Sequence, residues 1–125
     1  MRARSTKGYL IAELLVSMAL LALLTGAMTV AASTFSQLND YQFTRQKCLA
    51  AAQAQLESLA TTRQELSAED IQRLWPTVAL AVQRQPGAGQ WAGLTRLSAT
   101  ASAPCRGQEV RVTLVRYVQP AGRGT

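Results

Sequence analysis

Residues 7–39 read KGYLIAELLVSMALLALLTGAMTVAASTFSQLN, and after Glu13 no charged residue occurs before Asp40. The apolar run from Tyr9 to Val30 is longer than the ~20 residues that a helix needs to cross the hydrocarbon core of a bilayer. Three basic residues precede it, at positions 2, 4 and 7. Because basic flanks remain cytoplasmic, the sequence predicts a single membrane span with its N-terminus inside and its C-terminal part on the other side.

Glu13 is the exception within this stretch. A carboxylate at the centre of a membrane helix costs roughly 2.5 to 3.5 kcal/mol on insertion scales, so it requires a partner or access to water. It follows Gly8 by five positions, after the aromatic Tyr9. An anchor helix has no physical reason to keep this arrangement, which therefore indicates a function beyond anchoring.

The helix is predicted to continue to about residue 60, because no proline occurs before Pro76 and no glycine between Gly26 and Gly87. Residues 33–60 form its amphipathic half, with an apolar stripe at spacings of three, four and seven. We expect this stripe to pack mainly in the core of a small domain. Its members are Leu38, Tyr41, Cys48, Leu49, Ala52, Leu56 and Leu59.

Residues 61–125 are predicted to form a small α+β head. Ser67, followed by two acidic residues, is typical of a helix N-cap, and Pro76 ends that short helix. Alternation predicts a strand at 78–82 and a clearer one at 110–117, whereas 94–101 is a weaker strand without clean alternation. Turns are predicted at 86–89 and 104–107. The fold class is therefore α+β, with a long N-terminal helix on about three antiparallel strands.

Composition argues against an enzyme. The chain has no histidine and only two cysteines, far apart in sequence, so neither a metal cluster nor a Cys/His nucleophile pair can be assembled. We expect no cofactor, no metal and no small-molecule substrate. The net charge is +6, but three of the basic residues precede the apolar run and the other arginines are scattered, which does not predict nucleic-acid binding.

Cys48 and Cys105 can form one disulfide in an oxidising compartment. Closing a loop of this length is worth on the order of 4 kcal/mol in loop entropy. The alternative is two unpaired thiols, one on a helix and one in a loop. Sequence does not decide between them, because the bond requires the two Cα atoms to lie within about 7 Å.

The basic leader, Gly8, Tyr9 and Glu13 together resemble the class III signal of type IV prepilins and pseudopilins. The resemblance implies a pilin-like fold, cleavage after Gly8 by a prepilin peptidase, and N-methylation of Tyr9 by the same enzyme. Residues 1–8 would be the removed leader, and Glu13 would pair with the N-terminal amine of a neighbouring subunit. Residues 9–32 would lie first in the inner membrane and then in a filament core.

The same resemblance implies a periplasmic head with a flexible tail from about residue 119. The 117 residues that remain after removing eight from 125 are similar in size to a minor pseudopilin of type II secretion, and residues 114–117 resemble the end of its I-type subunit. The expected partners are the peptidase and other minor and major pilin-like subunits. A minor type IV pilin is the first alternative. A membrane-anchored periplasmic interaction protein, or one secreted by a cut before Ser33, is an alternative of another class.

Overall fold

The computed structural model describes the backbone of residues 3–120 and 122, and side chains from residue 8 onward. Helix α1 spans Ala3–Thr61 and helix α2 spans Ala68–Leu74. Three strands follow, namely β1 (Ala79–Pro86), β2 (Thr95–Cys105) and β3 (Gln108–Val118), with a short 3₁₀ helix at Gly89–Trp91. This confirms the predicted α+β fold, a long N-terminal helix with a small antiparallel sheet.

The chain divides into two compact units, Met1–Asn39 and Asp40–Thr125, and α1 contributes to both. The described residues of the first unit, 3–39, are all helical. The predicted leader falls partly outside the described residues, since residues 1 and 2 and the side chains of 3–7 are not among them. The predicted flexible tail lies largely outside them as well.

The sheet of the second unit has the order β1-β2-β3, with both pairs antiparallel. Strand β2 is central: its first residue, Thr95, pairs with Pro86 on one side and Val118 on the other. Beyond Ser102, which pairs with Ala79, β2 has only β3 as a neighbour. The last three residues of β2 therefore behave as part of a two-stranded hairpin.

This topology corrects two sequence predictions. Strand β2 continues to Cys105 rather than ending near 101, and the turn consists of Arg106 and Gly107, with φ of 48° and 79°. Pro104, predicted in the turn, pairs with Glu109 inside the strand. A proline is tolerated there because β1 has already ended, so its missing N–H deprives no neighbouring strand of a hydrogen bond.

The predicted lack of alternation in β2 is also wrong. Residues 97, 99, 101 and 103 are buried, and the residues between them are more exposed. Three of the four buried residues are alanines, so the inward face is defined by small side chains rather than by large apolar ones. Small side chains on this face leave room for the larger side chains of the helix that covers it.

The core lies between this face and the second half of α1. The helix contributes buried residues at 48, 51, 52, 56 and 59, which share one face. Leu80 and Val82 of β1 and Val112 and Leu114 of β3 pack against them, as their alternation predicts. Three members of the predicted stripe are instead exposed, namely Leu38 (55%), Tyr41 (45%) and Leu49 (42%).

The reason for these exceptions is geometric. Leu49 is rotated about 100° from Cys48 around the helix axis, which turns it away from the sheet. Tyr41 lies next to Asp40, at the level where the β2–β3 turn ends the sheet, because Arg106 contacts Asp40 there. Apolar spacing identified the correct helical segment but not how far the sheet covers it.

The short helix α2 begins as predicted. The Ser67 side chain accepts a hydrogen bond from the Asp70 backbone N–H at 3.1 Å, which is an N-cap contact. Trp75 is the C-cap residue, directly before Pro76. The segment leading into α2 is tied to α1, because the Leu66 N–H donates to the Oε1 atom of buried Gln55 at 3.1 Å.

Candidate functional site

Gly8 lies inside α1, where a glycine is costly. A Cβ atom built on it meets nothing within 4 Å, and its φ does not require glycine. Glycine in a helix costs about 0.5 to 1 kcal/mol relative to alanine. Among the described residues, neither packing nor backbone conformation accounts for glycine at position 8.

Tyr9 and Glu13 follow on the same helix and are both exposed, Tyr9 at 72%. Four residues separate them, which is about 6 Å along the helix axis. Among the side chains that the structure describes, none forms a salt bridge with Glu13. The helix thus places Gly8, Tyr9 and Glu13 within two turns, and no described side chain neutralises the carboxylate.

The helix around Glu13 presents an apolar surface on every side. Its large hydrophobic residues from Tyr9 to Phe35 are between 59% and 76% exposed. Among the residues described, this is the one helix long and apolar enough to cross a membrane, with a mean hydropathy of 2.2 in its most apolar window. Exposed apolar surface of this extent is typical of segments that contact lipid or other protein.

The polar side chains of this segment satisfy part of their hydrogen bonding locally. The hydroxyls of Thr25, Thr29 and Thr34 donate to the carbonyl oxygens four residues earlier, at 2.8 to 2.9 Å. These bonds lower the cost of placing a threonine where water is excluded. A Cβ atom added to Gly26 would also meet nothing within 4 Å, so none of the described residues packs against this position.

The two cysteines lie in the second unit and are free thiols, so the structure does not contain the disulfide considered from sequence. Cys48 is buried, and its Sγ lies 3.9 Å from the carbonyl oxygen of Val110. Burial raises the pKa of the Cys48 thiol. Cys105 is half-buried and pairs with Gln108. This pair lies two residues closer to the β2–β3 turn than the pair of Ala103 and Val110. Both thiols therefore lie near the same end of the sheet.

Sequence reasoning missed the contact between Asp40 and Arg106, which are 66 positions apart. The guanidinium of Arg106 makes a forked contact with Asp40 Oδ2, through Nε at 2.8 Å and Nη2 at 2.7 Å. Arg106 has positive φ. The Arg-Gly pair between two β segments is a signal for a tight two-residue turn, which would have placed Arg106 at the tip of a hairpin.

Comparison of the chain with protein-family models, with curated proteins and with solved structures finds no match.

Proposed function

We propose that this chain is a minor pilin-like subunit of a type II secretion pseudopilus. In this proposal a prepilin peptidase removes residues 1–8, residues 9–32 hold the subunit in the inner membrane, and the subunit then enters a filament. The observation that carries the proposal is the position of Glu13, one turn after Tyr9 in an exposed apolar helix. The role is structural rather than catalytic.

The physical argument starts from the missing partner of Glu13. Removing water from around a lone carboxylate costs several kcal/mol, unless an opposite charge and hydrogen bonds compensate. Cleavage after Gly8 creates a new positive amine at Tyr9. In a filament of parallel helices, the amine of one subunit and the carboxylate of the next can meet, so that both charges are compensated.

Gly8 supports the same proposal. Nothing in the part of the chain that the structure describes requires a glycine at position 8, whereas a protease must bind an extended backbone at the cut. Glycine lowers the cost of unwinding the helix at that point. The basic residues before it keep the leader in the cytoplasm, where the cut would occur, and place the second unit in the periplasm. There the second unit would select neighbouring subunits.

The processing step is tested by the intact mass of the chain, isolated from a bacterium that expresses a prepilin peptidase. We expect a mature chain beginning at N-methylated Tyr9. Gly8→Val should block cleavage. Gly26→Val is the matched control, because Gly26 is also a helical glycine with nothing within 4 Å, and it should be processed normally. A chain that begins at Met1 or Ser33 would contradict the proposal.

The assembly step is tested with Glu13→Gln, which removes the charge and keeps the size. Glu57→Gln is the control, because Glu57 is an exposed glutamate on the same helix. We expect Glu13→Gln to insert and be cleaved, but to give at least about tenfold less cross-linked complex with other subunits, because the neighbouring amine loses its counter-charge. Equal yields from the two variants would refute the role of Glu13. Whether secretion or type IV pilus subunits co-purify separates the two pilin-like alternatives.

A further inference from the structure

A cleft in the second unit combines an apolar floor with a basic rim. It has a volume of about 270 Å³ and lies where the end of α1 meets the sheet. Leu59 and Leu97, only 4% and 3% exposed, form its floor together with half-buried Val118. Arg63 and Arg84 line the same cleft.

The two arginines differ in their surroundings. The Nη2 atom of Arg84 lies 3.6 Å from Glu65 Oε1, so its charge is partly compensated by a contact whose partners are both about half exposed. Arg63 forms no salt bridge with any side chain that the structure describes. Within the described part of the chain, the cleft therefore carries a positive charge without an ionic partner, beside an apolar floor.

The backbone at Arg63 is strained. Arg63 follows the end of α1 with φ of 57°, in the left-handed region that glycine commonly occupies after a helix. A residue with a Cβ atom adopts this conformation at a cost that glycine does not have. The left-handed conformation ends α1 at the rim of the cleft, and Arg63 is one of the residues that line it.

We propose that this cleft binds the C-terminal residue of a partner polypeptide that ends in a branched aliphatic side chain. The aliphatic group would lie on Leu59 and Leu97, and the terminal carboxylate would accept charge-assisted hydrogen bonds from Arg63. The inference does not depend on the proposed role in a pseudopilus.

Size and charge select this occupant. The cleft is slightly smaller than the roughly 300 to 1,000 Å³ of typical small-molecule sites, so it holds about one residue rather than a large metabolite. A C-terminal residue presents its carboxylate and its side chain from one Cα atom. An internal glutamate could place its side-chain carboxylate at Arg63, but it has no aliphatic group left to cover the apolar floor. A second residue would have to cover the floor.

The probe for this site is N-acetyl-leucine, with N-acetyl-leucinamide as the matched neutral control. The full chain, in a membrane mimetic, carries labelled Leu and Val methyl groups, and NMR follows those of Leu59, Leu97 and Val118. We expect N-acetyl-leucine to shift these methyl signals with Kd on the order of 1 mM. The amide should bind at least about tenfold more weakly, because it has no charge to offer Arg63.

Arg63→Gly separates binding from folding. It should weaken N-acetyl-leucine binding about tenfold while raising Tm by roughly 4 °C, because glycine relieves the backbone strain. Arg73→Gln is the control for the loss of a surface cation, since Arg73 is 74% exposed on α2, and binding should not change.

Three results would overturn the inference. The first is an equal response to the acid and the amide, which would indicate apolar contact alone. The second is unchanged acid binding in Arg63→Gly. The third is that the same methyl signals shift when the protein concentration is raised without any probe. That result would show that a second copy of the chain occupies the cleft.

Discussion

The buried side chain of Gln55 offers a sharp test of how the second unit is held together. Gln55 is 2% exposed, and its Oε1 accepts the backbone N–H of Leu66 at 3.1 Å. This bond ties the segment after α1 back to the helix. Gln55→Met keeps nearly the same length and shape but removes the acceptor, so the Leu66 N–H loses its partner in a half-buried position.

The expected cost follows from that unpaired donor. Leaving a buried donor unsatisfied costs about 1 to 3 kcal/mol, and the partial exposure of Leu66 favours the lower half of that range. We expect the free energy of unfolding to fall by about 1.5 kcal/mol, equivalent to roughly 6 to 12 °C in Tm for a unit of this size. Gln53→Met is the matched control on an exposed position of the same helix and should stay within about 0.5 kcal/mol of the parent.

The assay is urea unfolding of the full chain in one membrane mimetic, followed by tryptophan fluorescence. Both tryptophans, Trp75 and Trp91, lie in the second unit and report on it alone. Hydrogen exchange at the Leu66 amide gives an independent measurement, and it should accelerate in Gln55→Met only. If the two methionine variants unfold at the same urea concentration and protect Leu66 equally, the buried hydrogen bond does not stabilise this segment.

Three further predictions concern the second unit. Gly87→Ala should destabilise the second unit by about 2 kcal/mol or more in the same urea assay, because the new Cβ would overlap the carbonyl oxygen of Trp91. Gly107→Ala is the control: its Cβ would meet open space, so we expect a loss of only about 1 kcal/mol, which comes from its positive φ. Iodoacetamide should label Cys105 in the native chain and reach Cys48 only on unfolding, as read by peptide mass; native labelling of Cys48 would contradict its burial. Burial raises the pKa of Cys48, because the native state favours the protonated thiol. This contribution to stability is fully present below the thiol's ordinary pKa and is lost as pH rises through the raised value. Cys48→Ala should therefore reduce the loss of stability at alkaline pH.

Strands β1 and β3 followed from residue pattern because their apolar side chains are large. Valine and leucine alternate with alanine in β1 and with polar residues in β3, and this contrast in side-chain size or polarity predicts both the strand and its inward face. Strand β2 was predicted only as a weaker strand over 94–101 and without its inward face, because alanine contrasts less with serine and threonine than valine or leucine does. Its alternation becomes visible only when α1 covers one face and buries residues 99, 101 and 103.

The candidate site shows a similar division. The spacing of Gly8, Tyr9 and Glu13 is local, so it is readable along the chain, and the helix then places the three residues within two turns. The cleft near Arg63 was not foreseen. It joins the end of α1 to residues of all three strands, and no sequence window contains those contacts.

Local physical chemistry is sufficient for the apolar helix, the Ser67 cap and the strands with large side chains, since each depends on neighbours within a few positions. The contact of Asp40 with Arg106, the pairing of Pro104 inside β2 and the exposure of Tyr41 depend on where the sheet ends relative to α1. The end of the sheet is set by pairing between strands that are distant in sequence. The length of β1 determines which part of β2 has a neighbouring strand on both sides. Tertiary packing therefore determined the extent of the core and the cleft, while residue pattern alone indicated the helix that carries Glu13.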